Sequence, residues 1–287
     1  PLPGDTRTLS FSADNSLVAA GISNTVTIWR TDTGQKLIDL VQPGEVWAGA
    51  LSPDGRRLAA SLTAGEIVLW DLAGRPISQT LPTGLGCLFS VEFSPDGAYL
   101  AAGGSRDGRT SYCTGAQIDV WDLTAGQERT PQPVVIRPTS VIFPNAVIAT
   151  SFSPDGQRLA VAGNQGAAIL DWATGPLAFT MTAHTASLNY LKYSPDGKYL
   201  VTTSNDQTAK IWDAQTGTEL LSYPLSSRSV WAFFTPQARG VVIVTSGVRT
   251  FRLNAFGLDE LITAARARLV RDWEPEECQK YLHGPCP

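Results

Sequence analysis

A chain of 287 residues, 43% hydrophobic and 17% charged, carries enough apolar side chains to bury a sizeable core. Its formal net charge of −4 speaks against a nucleic-acid-binding face, and no apolar run is long enough to span a bilayer. Four cysteines, Cys87, Cys113, Cys278 and Cys286, are too few for a fold built on disulfides, and no Cys-x-x-Cys pair offers the common zinc spacing.

The sequence opens at Pro1 without a signal-peptide pattern and reads as a piece of a longer protein. Its first recognisable turn is Ser12-Ala13-Asp14-Asn15. A sharper version, Ser-Pro-Asp-Gly, follows at Ser52 to Gly55, Ser94 to Gly97, Ser153 to Gly156 and Ser194 to Gly197, and a decayed copy stands at Thr235-Pro236-Gln237-Ala238. The first residues of these turns fall at 12, 52, 94, 153, 194 and 235, a nearly constant step broken only between the third and fourth copies.

A second signal keeps the same phase. About 18 residues after the turn, or 27 in the enlarged third copy, comes a short apolar strand ending in Trp, as in Ile28-Trp29, Leu69-Trp70-Asp71, Val120-Trp121-Asp122 and Ile211-Trp212-Asp213. The fourth copy has the order Leu170-Asp171-Trp172, and the sixth retains only Val248 to Phe251. One unit therefore runs from an apolar strand such as Val91-Glu92-Phe93, through the turn, to a second strand of small residues such as Tyr99 to Ala102. A third strand ends at Trp and a more polar fourth follows. In the turn, Pro presets φ and Gly accepts a positive φ. Four strands in roughly forty residues make one propeller blade, and small side chains in the second strand suit a sheet packed on both faces.

These motifs resemble the WD-repeat family, and the resemblance covers residues 6–253. It implies an all-β propeller of four-stranded blades with six repeats visible and upstream room for a seventh. The Gly-His element of that family survives only in the fifth repeat, as Ala183-His184. There the resemblance implies a structural hydrogen-bonded set of His184, Asp206 and Trp212 with a hydroxyl from Thr202 or Ser204. The other blades are expected to rely on apolar packing. The long third step is read as two enlarged loops, about 9 extra residues at Ser105 to Cys113 and about 8 more between Gly126 and Ala149, rather than a further blade.

After Phe251 no outer strand follows, so the sixth blade is expected to be completed by an upstream strand and residues 1–253 to form a ring that lacks its closing segment. Residues 254–287 are expected to form a short helical tail. Leu258, Leu261, Ile262, Ala265 and Leu269 share one helical face, and Pro275 suits a first helical position. The ending Glu276 to His283 resembles that of large bacterial WD-repeat proteins with an upstream signalling module, such as a STAND-type NTPase, a Ser/Thr kinase or a nucleotide cyclase.

No catalytic constellation is evident. The two histidines are His184, assigned to the blade, and His283, in the tail; no nucleophile elbow, phosphate loop or His-Glu-x-x-His motif occurs. The repeated Asp54, Asp96, Asp155 and Asp196 belong to turns rather than to a hydrolytic carboxylate pair. Cys278, His283 and Cys286 give three zinc ligands where structural sites want four, so no metal or other cofactor is assigned. A Cys278–Cys286 disulfide would staple the tail and place the chain outside the cytoplasm, the compartment otherwise favoured; Cys87 and Cys113 are expected to be free thiols. Five residues before each turn, the repeats carry Arg7, Trp47, Phe89, Ile148, Asn189 and Val230, variable in a constant setting. In the family this position lies at the top of the ring, where variation on a rigid scaffold suits recognition. The candidate partner-binding residues are Arg7, Trp47, Phe89, Asn189, Asn205 and Trp231, with Arg106, Arg109 and Tyr112 on the enlarged loop. The plain alternatives are that the aromatics fill the core and that the loop is merely solvated. The reading is a non-enzymatic interaction scaffold or sensor module of a larger regulatory protein. It would bind a protein or peptide, an upstream domain of the same chain included, and no nucleic acid. An enzyme or small-ligand binder using the central channel is the alternative.

Overall fold

The computed structural model describes residues 8–73, 77–107, 113–124, 133–137, 143, 145–174, 177–225, 229–235, 240–245 and 250–252. The expected tail helices, Cys278, His283 and Cys286 lie outside these residues, and no helix occurs within them.

The described residues form six antiparallel sheets, the blades of a β-propeller. Blade 1 comprises Thr8–Phe11, Leu17–Ile22, Thr25–Arg30 and Lys36–Val41. Blade 2 comprises Val46–Leu51, Arg57–Leu62, Ile67–Asp71 and Ile77–Leu81, and blade 3 Cys87–Phe93, Tyr99–Asp107, Thr114–Asp122 and Pro133–Ile136. Blade 4 comprises Val147–Phe152, Arg158–Gly163, Ala167–Asp171 and Leu177–Met181, and blade 5 Leu188–Tyr193, Tyr199–Ser204, Thr208–Asp213 and Glu219–Pro224. Blade 6 has three strands among the described residues, Ser229–Phe234, Val241–Thr245 and Thr250–Arg252. Every blade is a simple meander in which each strand pairs with the next in sequence. The first strand of each blade lies against the first strand of the following blade, which sets these strands around a common channel.

The core is divided into layers between blades. Five apolar clusters fill the five successive interfaces from blade 1 to blade 6. The second strands of blades 2 to 5 have a neighbouring sheet on each face. Small side chains there, among them Ala59, Ala60, Ala101, Ala102, Ala160 and Ala162, are wholly buried and let the sheets approach.

The recurring turns are local machines of one design. The Ser hydroxyl donates to the Asp carboxylate two residues on, at 2.5–2.6 Å in all five copies. The same Ser oxygen accepts the amide five residues ahead, as in Arg57 N to Ser52 Oγ at 2.8 Å. The hydroxyl of Ser94 and that of Ser153 are the main reason that Asp96 and Asp155 stay below the ordinary carboxylate range, so these acids are spent on the turns. The fourth residue needs a left-handed backbone, with φ of 68°, 70°, 71° and 72° at Gly55, Gly97, Gly156 and Gly197; Asn15, one of the few non-glycine types at ease there, holds φ 58° in the first copy. The turns also stack between blades, Pro95 Cδ lying 3.8 Å and Pro154 Cδ 3.2 Å from a side chain built at Gly156 and Gly197 respectively. At Gly156 a methyl group would meet nothing closer, so Gly156→Ala isolates the backbone cost. We expect a loss of about 1 kcal/mol, read from the urea midpoint at unchanged m-value.

The third repeat corrects one expectation. Its enlargement is not all loop, because the second and third strands of blade 3 are lengthened, pairing as far as Asp107 with Thr114. A register shift at Gly103/Gly104 accompanies the extension. A side chain at Gly104 would meet the Cys87 carbonyl oxygen within bonding range, so only glycine fits there.

Candidate functional site

The channel is lined by first strands from five blades, around a cavity of about 180 Å³. Hydroxyl and small side chains dominate it, and two ionised groups meet inside. Lys192 of blade 5 donates from Nζ to Glu92 Oε1 of blade 3 at 2.5 Å, although the two are 100 residues apart in sequence. Removal from water lifts the Glu92 carboxyl above its ordinary range, against the pull of the lysine. The same removal acts to lower Lys192, but the carboxylate and neighbouring Tyr190 outweigh it and hold the ammonium above its usual range. The pair pins blades 3 and 5 across the channel. Lys192→Met strands the carboxylate and should cost about 2 kcal/mol, whereas Lys192→Met with Glu92→Gln should restore most of that loss. Additive single and double changes in a denaturation cycle would exclude the coupling.

At one mouth of the channel lies a wider cup of about 730 Å³. Trp47 and Phe89 form one side, their rings edge to face with centroids 5.8 Å apart, and Trp47 is 41% exposed. Four asparagines from blades 4 and 5 supply polar groups: Asn145, Asn164, Asn189 and Asn205. Their positions are set by the fold. Asn164 Nδ2 donates to Ser187 Oγ at 3.1 Å while its Oδ1 accepts from the Ala146 amide at 3.4 Å. Asn189 Nδ2 donates to Asn205 Oδ1 at 3.0 Å. No charged side chain is among the described residues lining the cup.

Inside blade 5, a chain of hydrogen bonds runs from Trp212 to Asp206. Trp212 Nε1–H donates to Thr202 Oγ1 at 2.7 Å, and Thr202 lies 2.7 Å from His184 Nε2. His184 Nδ1 lies 2.8 Å from Asp206 Oδ2. The indole takes one Thr202 lone pair, so the hydroxyl proton is directed to Nε2 and the imidazole proton sits on Nδ1, facing the carboxylate. Ser204 instead donates to backbone carbonyls of Ala186 and Ser187. Burial, only partly offset by Asp206, keeps the His184 pKa below the ordinary histidine value. Burial acts to raise Asp206, but hydrogen bonds from Thr208, His184 and the Thr185 amide hold it at about 2.

Blades 2 to 4 do not rest on apolar packing alone, contrary to expectation. Trp70 Nε1 donates to Gln42 Oε1 at 3.0 Å, Trp121 to the Pro82 carbonyl at 3.1 Å, and Trp172 to the Gly156 carbonyl at 2.9 Å. In blade 3, buried Asp119 accepts from Thr83, the Gly84 amide and Gln117. A buried indole N–H must be paired, and without the histidine each blade finds a different acceptor.

Cys87 and Cys113, expected to be free, are joined in a disulfide with Cα atoms 6.1 Å apart. The lengthened hairpin of blade 3 carries Cys113 back to the start of that blade's first strand. The bridge fixes Cys113 and Thr114, which line the cup beside Phe89.

Of the residues singled out in the sequence, Trp47, Phe89, Asn189 and Asn205 come together in the cup. Trp231 is half-buried in blade 6, and Arg106 is exposed on the hairpin, in an ion pair with Asp107 at 3.5 Å. Arg7, Arg109 and Tyr112 lie outside the described residues. Sequence reasoning missed Asn145, Asn164, Glu92 and Lys192. The last two carried a signal, since each stands two residues before a turn serine, a position facing the channel.

Comparison with known proteins gives the same architecture. Residues 78–111 and 175–213 match the sequence profile of the family described as WD domain, G-beta repeat. Each matched stretch starts at the outer strand of one blade and runs into the next, so the sequence repeat straddles two blades. The chain is 26% identical over 214 residues to transcription factor unc-37 of Caenorhabditis elegans, covering 73% of this chain and 32% of that protein. It is 28% identical over 230 residues to WD repeat-containing protein 1 of Mus musculus, covering 76% and 35%. It is 26% identical over 198 residues to Protein HIR1 of Kluyveromyces lactis, covering 58% and 22%. The chain spans about a third or less of the length of these relatives, all of them eukaryotic.

Proposed function

We propose that this chain is a protein-interaction platform, with no catalysis of its own, that binds a protein or peptide through the cup at the channel mouth. The observation that carries this reading is the convergence of Trp47, Phe89, Asn189 and Asn205, residues from three blades, on one concave surface. Aromatic side chains held on a rigid scaffold are frequent anchors of interfaces. The similarity to WD-repeat proteins, one of them described as a transcription factor, supports a scaffold role. The acid and base that meet in the channel are engaged with one another, which suits a pin better than a reaction centre. A regulatory protein with an upstream signalling module is the setting we favour, on the resemblance of the residues from Glu276 to His283.

The test is affinity capture from the source cell with the full-length protein as bait. Parallel baits carry Trp47→Ala with Phe89→Ala, or lack the tail from Leu258. Loss of one saturable partner with the cup variant alone supports the reading. Loss with the tail deletion alone, or no saturable partner with any bait, overturns it.

A further inference from the structure

The repeat sets one interface apart from its neighbours. Between blades 2 and 3, Arg57 lies five residues after its turn serine, and Phe93 stands immediately before the next one. The Arg57 guanidinium sits 5.6 Å from the centre of the Phe93 ring and donates to the Gly97 carbonyl at 2.5 Å. Between blades 4 and 5 the same two positions hold Arg158 and Tyr193. There the guanidinium does not close the interface. A side chain built at Gly97 would meet Arg57 Nη2 at 3.3 Å, whereas one built at Gly197 would meet, among the described residues, only Pro154. Arg158 is exposed instead, on the wall of a pocket of about 510 Å³ that Tyr193, Lys198, Asp155 and Asp196 also line. From this departure within the repeat we propose that the pocket binds a carboxylate, held by the Arg158 guanidinium and the Tyr193 hydroxyl.

Tyr193 supplies the first argument. The residue is 6% exposed, and its hydroxyl is buried without a hydrogen-bond partner. Phe93, buried at the equivalent position, shows that a blade packs without this oxygen. A buried polar group left unpaired works against the fold, so its presence calls for a partner that the two blades do not supply. Arg158 and Asp155 both act on the hydroxyl and both stand on the pocket wall, which puts the hydroxyl at the inner end of the pocket. Removal from water holds its pKa above the ordinary tyrosine range, so it stays a neutral donor.

The second argument is the match of charge and shape. A guanidinium presents parallel N–H donors to the two oxygens of a carboxylate, and such charge-assisted bonds are among the stronger ones. Lys198 adds a second cation to the wall, its ammonium 3.9 Å from Asp196 Oδ2 and so beyond hydrogen-bond distance. Asp155 and Asp196 decide between ligands. Each commits Oδ1 to its own turn: Asp155 to the Ser153 hydroxyl at 2.5 Å and the Gln157 amide at 3.0 Å, Asp196 to the Ser194 hydroxyl at 2.6 Å and the Lys198 amide at 3.2 Å. Their charge remains in the wall, so a singly charged carboxylate is accommodated where a phosphate dianion meets stronger repulsion. The volume falls in the range of small-molecule sites. The first strand of blade 5, Leu188–Tyr193, runs from the cup to this pocket. The two sites therefore lie at opposite ends of one strand, and this inference does not depend on the platform reading.

The test is isothermal titration of the chain with benzoate, with N-acetylated tetraalanine ending in a free carboxylate, and with inorganic phosphate. Benzamide and the C-terminal amide of the peptide are the uncharged counterparts. We expect saturable binding of at least one acid, none of its amide, and a loss of about tenfold in affinity in Arg158→Gln and in Tyr193→Phe. Both variants should melt no lower than the unaltered chain, because the fold uses neither the guanidinium nor the hydroxyl. Benzoate binding without peptide binding assigns the site to free carboxylic acids, and peptide binding assigns it to chain termini. No saturable heat from either acid up to about 10 mM, equal binding of acid and amide, full binding by the two variants, or phosphate bound more tightly than either acid overturns the proposal. So does a lower melting temperature for Tyr193→Phe, which would show the hydroxyl engaged within the fold.

Discussion

Thr202→Val should lower the unfolding free energy by about 3 kcal/mol, while Thr203→Val, one residue on, should leave it unchanged or raise it. Both side chains are fully buried in the second strand of blade 5 and lose the same hydroxyl. Successive strand residues face opposite ways, and the two hydroxyls have opposite fates. Thr202 Oγ1 bridges the Trp212 indole and His184, so its removal leaves two buried polar groups unpaired. Thr203 Oγ1 has no partner among the described residues, so valine removes a buried polar atom that gains nothing. Urea denaturation of the two variants measures the difference. Equal shifts would show that the hydrogen-bonded chain does not hold the blade.

The same chain makes the fold sensitive to acid. His184 has a lowered pKa in the folded state, so the unfolded chain binds its proton more tightly. Stability therefore falls as pH drops below about 6.5, toward the folded-state value. Asp206, held at about 2 against an ordinary 3.8, adds a second loss as pH falls through the interval between those values.

The second large effect belongs to the disulfide. Cys87 and Cys113 close a loop across a sequence separation of 26. Chain-entropy reasoning gives about 3.5 kcal/mol for a bridge of this span, so Cys87→Ser with Cys113→Ser should cost roughly that amount. A reductant should move the midpoint of the unaltered chain by a similar amount and leave the double variant where it is. An unaltered chain whose midpoint ignores reductant would show that the bridge contributes nothing. Such a bond persists where thiols are not kept reduced, which makes the compartment of this chain directly testable.

The parts of the fold legible in the sequence are those fixed by short-range chemistry. A Ser-Pro-Asp-Gly turn is built from four adjacent residues, and the apolar run ending in Trp is a single strand. Both survive translation into a linear code, so the repeat and the four-stranded blade could be read from it. Contacts set by the ring were not legible. Glu92 and Lys192 meet only because blades 3 and 5 face one channel. Cys87 and Cys113 meet only because the hairpin of blade 3 is lengthened rather than looped out. The indoles of blades 2 to 4 found partners such as Gln42 and the Pro82 carbonyl that no motif announces. Part of the cup followed from one repeated position, through Trp47, Phe89 and Asn189. Asn145 and Asn164 did not, since their role depends on how blades 4 and 5 lean together.

The central claim places recognition in the cup, and a footprint of the captured partner tests it most directly. Hydrogen exchange of the chain, alone and with that partner, would be compared peptide by peptide. The platform reading requires protection around Trp47, Phe89, Asn189 and Asn205, with little change at the Ser-Pro-Asp-Gly turns. Protection concentrated on those turns, with the cup peptides unchanged, would put the partner elsewhere and contradict it.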